Sequence, residues 1–203
     1  MTAAVLFSGG MDSAVALHWS ISKYGRDAVT AWSIDYGQSH KTKELDAARF
    51  IASSAEVPHR VLKAQIPWAP MNGDALAGRN LMLLSIVAAQ AAARNGGAPV
   101  TIVIGACKAD ADGFPDCRPE FLVAAQEAIT LGLGVSVTIV APILLLSKAQ
   151  IILMAHRLGD AAVSALLRSW SCYRGGESPC GECNACRKRA EGFAEAGMED
   201  SWA

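Results

Sequence analysis

Cys172, Cys180, Cys183 and Cys186 stand in the spacing C-x7-C-x2-C-x2-C near the C-terminal end of the chain. Short Cys-x-x-Cys turns let two thiolates reach one ion without strain, and soft sulfur ligands suit Zn²⁺. Four protein ligands leave no coordination position for water or substrate. The cluster is therefore expected to hold one structural zinc per chain, with the chemistry elsewhere. The second candidate is Ser8-Gly9-Gly10-Met11-Asp12-Ser13, which follows the apolar residues 3–7 and precedes the helix-compatible residues 14–19. Two glycines between a buried strand and a helix let the backbone approach an anion closely. Ser8, Asp12 and Ser13 add hydroxyl and cap chemistry where the first helical amides point outward. A phosphate group is the expected ligand. The spacing is neither that of a Walker A loop nor that of the G-x-G-x-x-G dinucleotide fingerprint.

Other residues carry weaker signals. Asp110, Asp112 and Asp116 crowd a loop with Gly113, Phe114, Pro115, Cys117 and Arg118. Carboxylates there could hold Mg²⁺ on phosphates or read an amidine-bearing ring, and a solvated loop would tolerate them equally. Arg79, with Asn80 after it, and Lys148 each open a predicted helix, where a cation opposes the helix dipole, so the pair hints at an anionic ligand; an exposed Arg in a first helical turn is the plainer account of Arg79. His40 and His156 read as surface or helix residues, and Trp32, Trp170 and Trp202 as packing. Cys107 and Cys117 have no assigned role, and residue order alone supports no Ser-His-Asp or Cys-His pairing.

These groups need a scaffold, and the apolar pattern supplies one. Residues 3–7, 28–34, 59–62, 100–105 and 135–140 read as strands, and residues 13–24, 41–55, 79–94, 119–131 and 148–158 as helices. The alternation predicts an α/β fold, a Rossmann-like parallel sheet with helices on both faces. Ligands of such sheets bind at the carboxyl ends of the strands. The loop at residues 8–13, the string Asp35-Tyr36-Gly37-Gln38 and residues 105–116 all fall at such ends. Residues 64–78 show no clear period and read as a connection, and the tail after Phe193 as poorly anchored. With 203 residues and 52% hydrophobic content, one domain plus a small appendage is expected. The division falls at residues 1–165 for the α/β domain and 166–203 for a zinc-binding segment packed on it.

Formal net charge is -1 and the isoelectric point about 6.4, so no global positive field suits nucleic acid. Met1 leads into a strand without the basic region and cleavage site of an export signal. The apolar stretch near residues 135–146 is broken by Ser136, Thr138 and Pro142, too soon to span a bilayer. A cytoplasmic protein without membrane partners is expected, its six cysteines serving metal and core rather than disulfides.

The loop resembles the S-G-G-x-D-S loop of the PP-loop ATP pyrophosphatases, which cleave ATP between its α and β phosphates. Residues 7–13, Asp35-Tyr36-Gly37-Gln38 with His40, Gly78-Arg79-Asn80, and residues 113–121 together resemble the 7-cyano-7-deazaguanine synthase family. Ser147-Lys148, Trp170-Ser171-Cys172-Tyr173, the Cys180–Cys186 cluster, Arg189 and Gly192-Phe193 extend that match over most of the chain. The resemblance implies an ATP-dependent carbon-nitrogen ligase of queuosine precursor synthesis. Its substrates would be 7-carboxy-7-deazaguanine, ammonia and ATP with Mg²⁺, and its working unit a homodimer. It implies nucleotide contacts from Phe7, Ser8, Gly9, Gly10, Met11, Asp12, Ser13, Ala14, Val15, Ala16, Leu17, Asp35 and Gly105. It implies substrate contacts from Tyr36, Gln38, Arg79, Asn80, Asp110, Asp116 and Arg118, with Asp116 reading the guanine-like ring, and catalytic roles for Asp12, Lys148 and Arg79.

The sequence departs from the family pattern in three places. The connection before Gly78 is short, Ala75-Leu76-Ala77 replaces a common Val-Pro, and Phe114 stands where Tyr is usual. An alternative therefore stays open, in which the adenylated acid passes to another amine, such as a protein N-terminus, and the reaction stops at the amide.

Overall fold

Why the chemistry converges is clear from strand order. A computed structural model describes residues 2–64, 76–111 and 113–202, so Asp112 and most of the 64–78 connection lie outside the described residues. Five strands, β1 (Thr2–Leu6), β2 (Val29–Asp35), β3 (His59–Lys63), β4 (Val100–Ile104) and β5 (Val137–Val140), form one sheet in the order β3-β2-β1-β4-β5, every pair parallel. The chain steps outward from β1 on one side and from β4 on the other. The carboxyl ends of β1 and β4 thus flank a topological switch point, where the loops diverge and leave a crevice.

Alternation along β1 sets the two layers. Ala3 and Val5 face helices α1 (Met11–Tyr24) and α2 (Lys41–Ser54), through Ala14, Ala16, Leu17, Ala48, Ile51 and Ala52. Ala4 faces α3 (Arg79–Arg94), through Leu84, Val87, Ala88 and Ala91. A short α4 (Lys108–Ala111) follows β4, and α5 (Pro119–Leu133) adds Leu122, Ala125 and Ile129 to the α3 side. Helix α6 (Lys148–Leu158) starts from a capping box: Gln150 N donates to Ser147 Oγ at 3.3 Å, and Ser147 N to Gln150 Oε1 at 2.9 Å. That box fixes where Lys148, the first helical residue, emerges.

Three helices go beyond the sequence reading: α4, α7 (Asp160–Arg168) and α8 (Asn184–Ala196). Helix α8 hides its periodicity because Arg189 and Gly192 occupy buried positions beside Cys186 and Phe193. The tail is also better anchored than expected. The Arg189 side chain is 1% exposed and donates to both Asp200 carboxylate oxygens, at 2.7 and 2.8 Å, and to Ser169 Oγ at 2.9 Å. Its guanidinium lies 4.0 Å from the Trp202 ring centroid. A buried guanidinium requires acceptors, and Asp200 supplies the counter-charge that ties the C-terminal residues down. Among the described residues, no helix is long and apolar enough to cross a membrane.

Candidate functional site

A cavity opens over the carboxyl ends of β1, β2 and β4, walled by the 8–13 loop, the start of α3 and the start of α8. On the loop, Ser8 Oγ and Ser13 Oγ lie 3.2 Å apart, Gly10 N donates to Ser8 Oγ at 3.2 Å, and Ser13 Oγ donates to Gly10 O at 2.9 Å. Gly10 is the N-cap of α1 and offers no side chain to the first-turn amides, which leaves them directed at whatever occupies the crevice. Gly9 has φ +84°, and a Cβ there would fall 2.4 Å from the Glu44 carbonyl oxygen, so this position takes only glycine.

Asp12 and Lys148 meet from opposite ends of the chain. Lys148 Nζ donates to both Asp12 oxygens, at 2.8 and 2.7 Å, and to Cys107 Sγ at 3.2 Å, while the Cys107 thiol donates to Asp110 Oδ2 at 3.2 Å. Burial alone would lower the Lys148 ammonium, but Asp12 and Asp110 outweigh it and hold the group well above the usual lysine range. Burial pushes the Asp12 carboxyl up, against the pull of Lys148. Burial, with Asp12 beside it, pushes the Cys107 thiol up to about 12, so it stays protonated near neutrality. The cation opening α6 thus answers a carboxylate of the phosphate loop.

Across the cavity, Arg79 hydrogen-bonds Tyr36. Burial raises the Tyr36 phenol, partly offset by Arg79, and burial pushes Tyr173 up to about 12. Asn80 N donates to Asp116 Oδ2 at 2.8 Å and Asn80 Nδ2 to Asp116 O at 3.0 Å. Asp116 therefore caps α3 from a distant loop, in place of a local side chain that Gly78 lacks.

The cavity lining includes Phe7, Ser8, Gly10, Met11, Asp12, Ser13, Gly105, Tyr36, Gln38, Arg79, Asn80, Asp110 and Lys148 among the residues named in advance. Others lie elsewhere. Ala14, Val15, Ala16 and Leu17 are fully buried in α1, where they seat the helix in the core. Gly9 stands behind the loop against α2. Asp35 accepts from Gly37 N at 3.1 Å and from Lys41 Nζ at 3.3 Å, and its side chain is outside the lining, as are those of Asp116 and Arg118; Arg118 Nε is bound to Ala111 O at 3.0 Å. Gly9 has no side chain, and the other seven side chains are packed or paired within the protein, outside the cavity lining.

Glu44 and Lys188 line the cavity without having been singled out in the sequence. His40, which stands beside the Asp35–Gln38 string but reads as a surface or helix residue, lines it too, as does Tyr173. The i,i+4 spacing of His40 and Glu44 was a usable signal, since it places both on one face at the start of α2. Lys188, with Asn184 and Ala185, belongs to α8, so the cysteine-bearing segment forms part of the cavity wall.

The four cysteine sulfurs lie within 4.8 Å of one another, with Cys180 to Cys186 at 3.9 Å and Cys183 to Cys186 at 3.4 Å. A tetrahedron with metal–sulfur bonds of about 2.3 Å has edges of about 3.8 Å. Backbone amides already point at sulfur: Cys180 N donates to Cys172 Sγ at 3.4 Å and Cys183 N to Cys180 Sγ at 3.3 Å. Amides of Cys183 and Glu182 pull the Cys180 thiol down to about 6. The donor set fits a tetrahedral thiolate-bound metal such as zinc.

The parallel sheet in this order, with an S-G-G-x-D-S loop at its switch point, defines the PP-loop class of α/β phosphate-binding folds. The model of the family described as queuosine biosynthesis protein QueC matches residues 2–77 and 70–197, and the chain belongs to that family of enzymes. It is 38% identical over 220 residues to a 7-cyano-7-deazaguanine synthase of Chromobacterium violaceum, covering 98% of this chain and 91% of the relative. Proteins of the same name from Laribacter hongkongensis and Thermoplasma acidophilum are 39% and 38% identical, each covering 98% of this chain.

Proposed function

We propose that the protein converts 7-carboxy-7-deazaguanine and ammonia to 7-cyano-7-deazaguanine, consuming ATP and releasing AMP and pyrophosphate. The observation that carries this reading is the near full-length similarity to proteins named as that synthase. The geometry supports it. A carboxylate resists nucleophiles until one oxygen joins a good leaving group, and attack of the acid on the α-phosphate makes AMP that leaving group. The departing pyrophosphate would lie on the 8–13 loop, against the first-turn amides of α1.

Lys148, held as an ammonium, would stabilise charge that develops at the α-phosphate, and removing such a donor costs about 10²–10³ in rate. Arg79 would orient the carboxylate of the acid with Tyr36 behind it. Asp12 and Asp110 supply oxygen ligands suited to Mg²⁺ together with phosphate oxygens, and the ion would offset phosphate charge when bound. Tyr36, Gln38 and Asn80, polar groups of the cavity lining, would read the ring. Zinc on the four cysteines would hold α8, and with it Lys188, against the cavity.

No observation favours transfer to a protein amine over ammonia. The further properties we assign are a homodimeric working unit in the cytoplasm, which light scattering and fractionation would check. The functional reading is tested by mass spectrometry of products from purified protein with Mg-ATP, the acid and ammonium. Nitrile with AMP is expected. Amide with AMP would move the assignment to an altered acceptor, and absence of AMP would remove the adenylation reading.

A further inference from the structure

The steps just proposed release protons, and the cavity holds few groups able to take them. When ammonia attacks the acyl adenylate, a C–N bond forms, the C–O bond to AMP breaks with its electron pair leaving on AMP, and the nitrogen sheds a proton. When the amide oxygen is adenylated in turn, the nitrogen sheds one of its two protons to give the neutral adenylated imidate. Loss of the last N–H proton lets that electron pair form the C≡N bond as the C–O bond to AMP breaks. Each step needs a base within reach of the substrate nitrogen.

Lys148 and Arg79 are cations. Cys107, Tyr36 and Tyr173 are pushed upward by burial and keep their protons. Asp12 is held by Lys148 through both oxygens, and Asp110 accepts the Cys107 thiol proton. Lys188 Nζ donates to Ala109 O at 2.6 Å. His40 is different: its imidazole lines the cavity, its Nε2 lies 3.4 Å from Glu44 Oε1, and Glu44 Oε2 accepts from Gln38 Nε2 at 3.2 Å. A carboxylate behind an imidazole fixes its tautomer and stabilises the imidazolium that forms, the logic of a catalytic base held by a third group. Assigning the ring proton to Nε2, beside Glu44, leaves the Nδ1 lone pair to accept. Ser39 Oγ lies 3.4 Å from Nδ1 but also donates to Tyr173 O at 3.3 Å, so it is the neighbour the substrate nitrogen must displace. The ring is also fixed sterically: its centroid is 5.5 Å from that of Tyr173, and a Cβ on Gly175 would fall 3.0 Å from His40 Cα. The charged and titratable groups around it are Glu44 on α2, Tyr173 on the cysteine-bearing segment, and Arg79 on α3 beyond Glu44.

We propose that His40, oriented by Glu44, is the proton acceptor of the amination and nitrile-forming steps. The proposal rests on the functional reading above and adds a residue to it. The test compares wild-type enzyme with His40→Asn, His40→Gln and Glu44→Gln, each checked by circular dichroism and thermal unfolding. Two readouts are needed: acid-dependent exchange of pyrophosphate into ATP, which reports adenylation alone, and the rate of nitrile formation from pH 5.5 to 9.

Both His40 variants should lose about 10²–10⁴-fold in nitrile formation but less than tenfold in exchange, with the acid limb of the wild-type profile abolished. Glu44→Gln should retain that limb at a reduced rate. The proposal is overturned by a folded His40 variant that forms nitrile within threefold of wild type with the acid limb intact, or by equal losses in both readouts. Wild-type enzyme that exchanges no pyrophosphate would instead defeat the functional reading, so the two failures are distinct.

Discussion

Replacing Lys148 with Met removes one half of a charge pair that spans 136 positions of sequence, and the structure sets the size of the loss. The ammonium contacts both Asp12 oxygens at 2.7–2.8 Å, with side chains 12% and 25% exposed. Breaking a buried pair by removing one partner costs about 3–5 kcal/mol, because the remaining charge is left without compensation. The water that still reaches Asp12 places this case near the lower bound, about 3 kcal/mol. For a chain of this size that corresponds to a fall of about 6–12 °C in Tm, read by calorimetry at pH 7.5.

The pH dependence has a definite sign. Burial raises the Asp12 carboxyl above its ordinary range in the wild type, so the folded state holds that proton longer than the unfolded state and stability falls as pH rises through the window. Without Lys148 the carboxyl rises further, so Lys148→Met is most damaging at neutral and alkaline pH and least damaging near pH 5. The double variant Lys148→Met/Asp12→Asn removes both charges, and the cycle should show a coupling of at least about 2 kcal/mol. A Tm within 2 °C of wild type, or strict additivity of the two single changes, would refute the view that this pair holds α1 to α6.

Other outcomes follow from the same geometry. Zinc stripping by chelator, or Cys183→Ser, should lower Tm and activity together, and metal analysis should return one zinc per chain; an undisturbed Tm after complete stripping would contradict a structural metal. Gly9→Ala forces a Cβ to 2.4 Å from the Glu44 carbonyl at φ +84°, which should cost more than about 2 kcal/mol and most of the activity, seen in denaturant melts and turnover. With its pKa pushed to about 12, Cys107 should resist iodoacetamide at pH 8 in the native state and react on unfolding. Because the unfolded thiol ionises first, Cys107 should also reduce stability as pH rises from about 9 toward 12, and native labelling as fast as an exposed thiol would disprove its enclosure.

Much of this architecture is legible in the chain because strands β1 and β4 are short apolar runs that end in chemistry: Leu6 runs into Ser8, and Ile104 into Gly105 and the Asp110 loop. Lys148 was readable because a cation at a helix start is out of place without an anion. What could not be read depends on distant approach. Asp116, expected to read the ring, also caps α3 from a distant loop, a pairing that no local spacing announces. His40 looks like a surface residue until the chain at Tyr173 and Gly175 closes over it, and Lys188 reaches the cavity only because α8 packs on α6. Helix α8 itself was obscured by a buried Arg189, whose partner Asp200 lies in a tail that reads as polar and loose.

The central claim, that a carboxylate is activated by adenylation in this cavity, is tested most directly with 7-carboxy-7-deazaguanine labelled with ¹⁸O at both carboxylate oxygens. Amide and nitrile formation should each transfer one labelled oxygen to AMP, giving two singly labelled AMP molecules per nitrile, because both C–O bonds break with the oxygen leaving on phosphorus. Unlabelled AMP, or ADP in its place, would contradict the account.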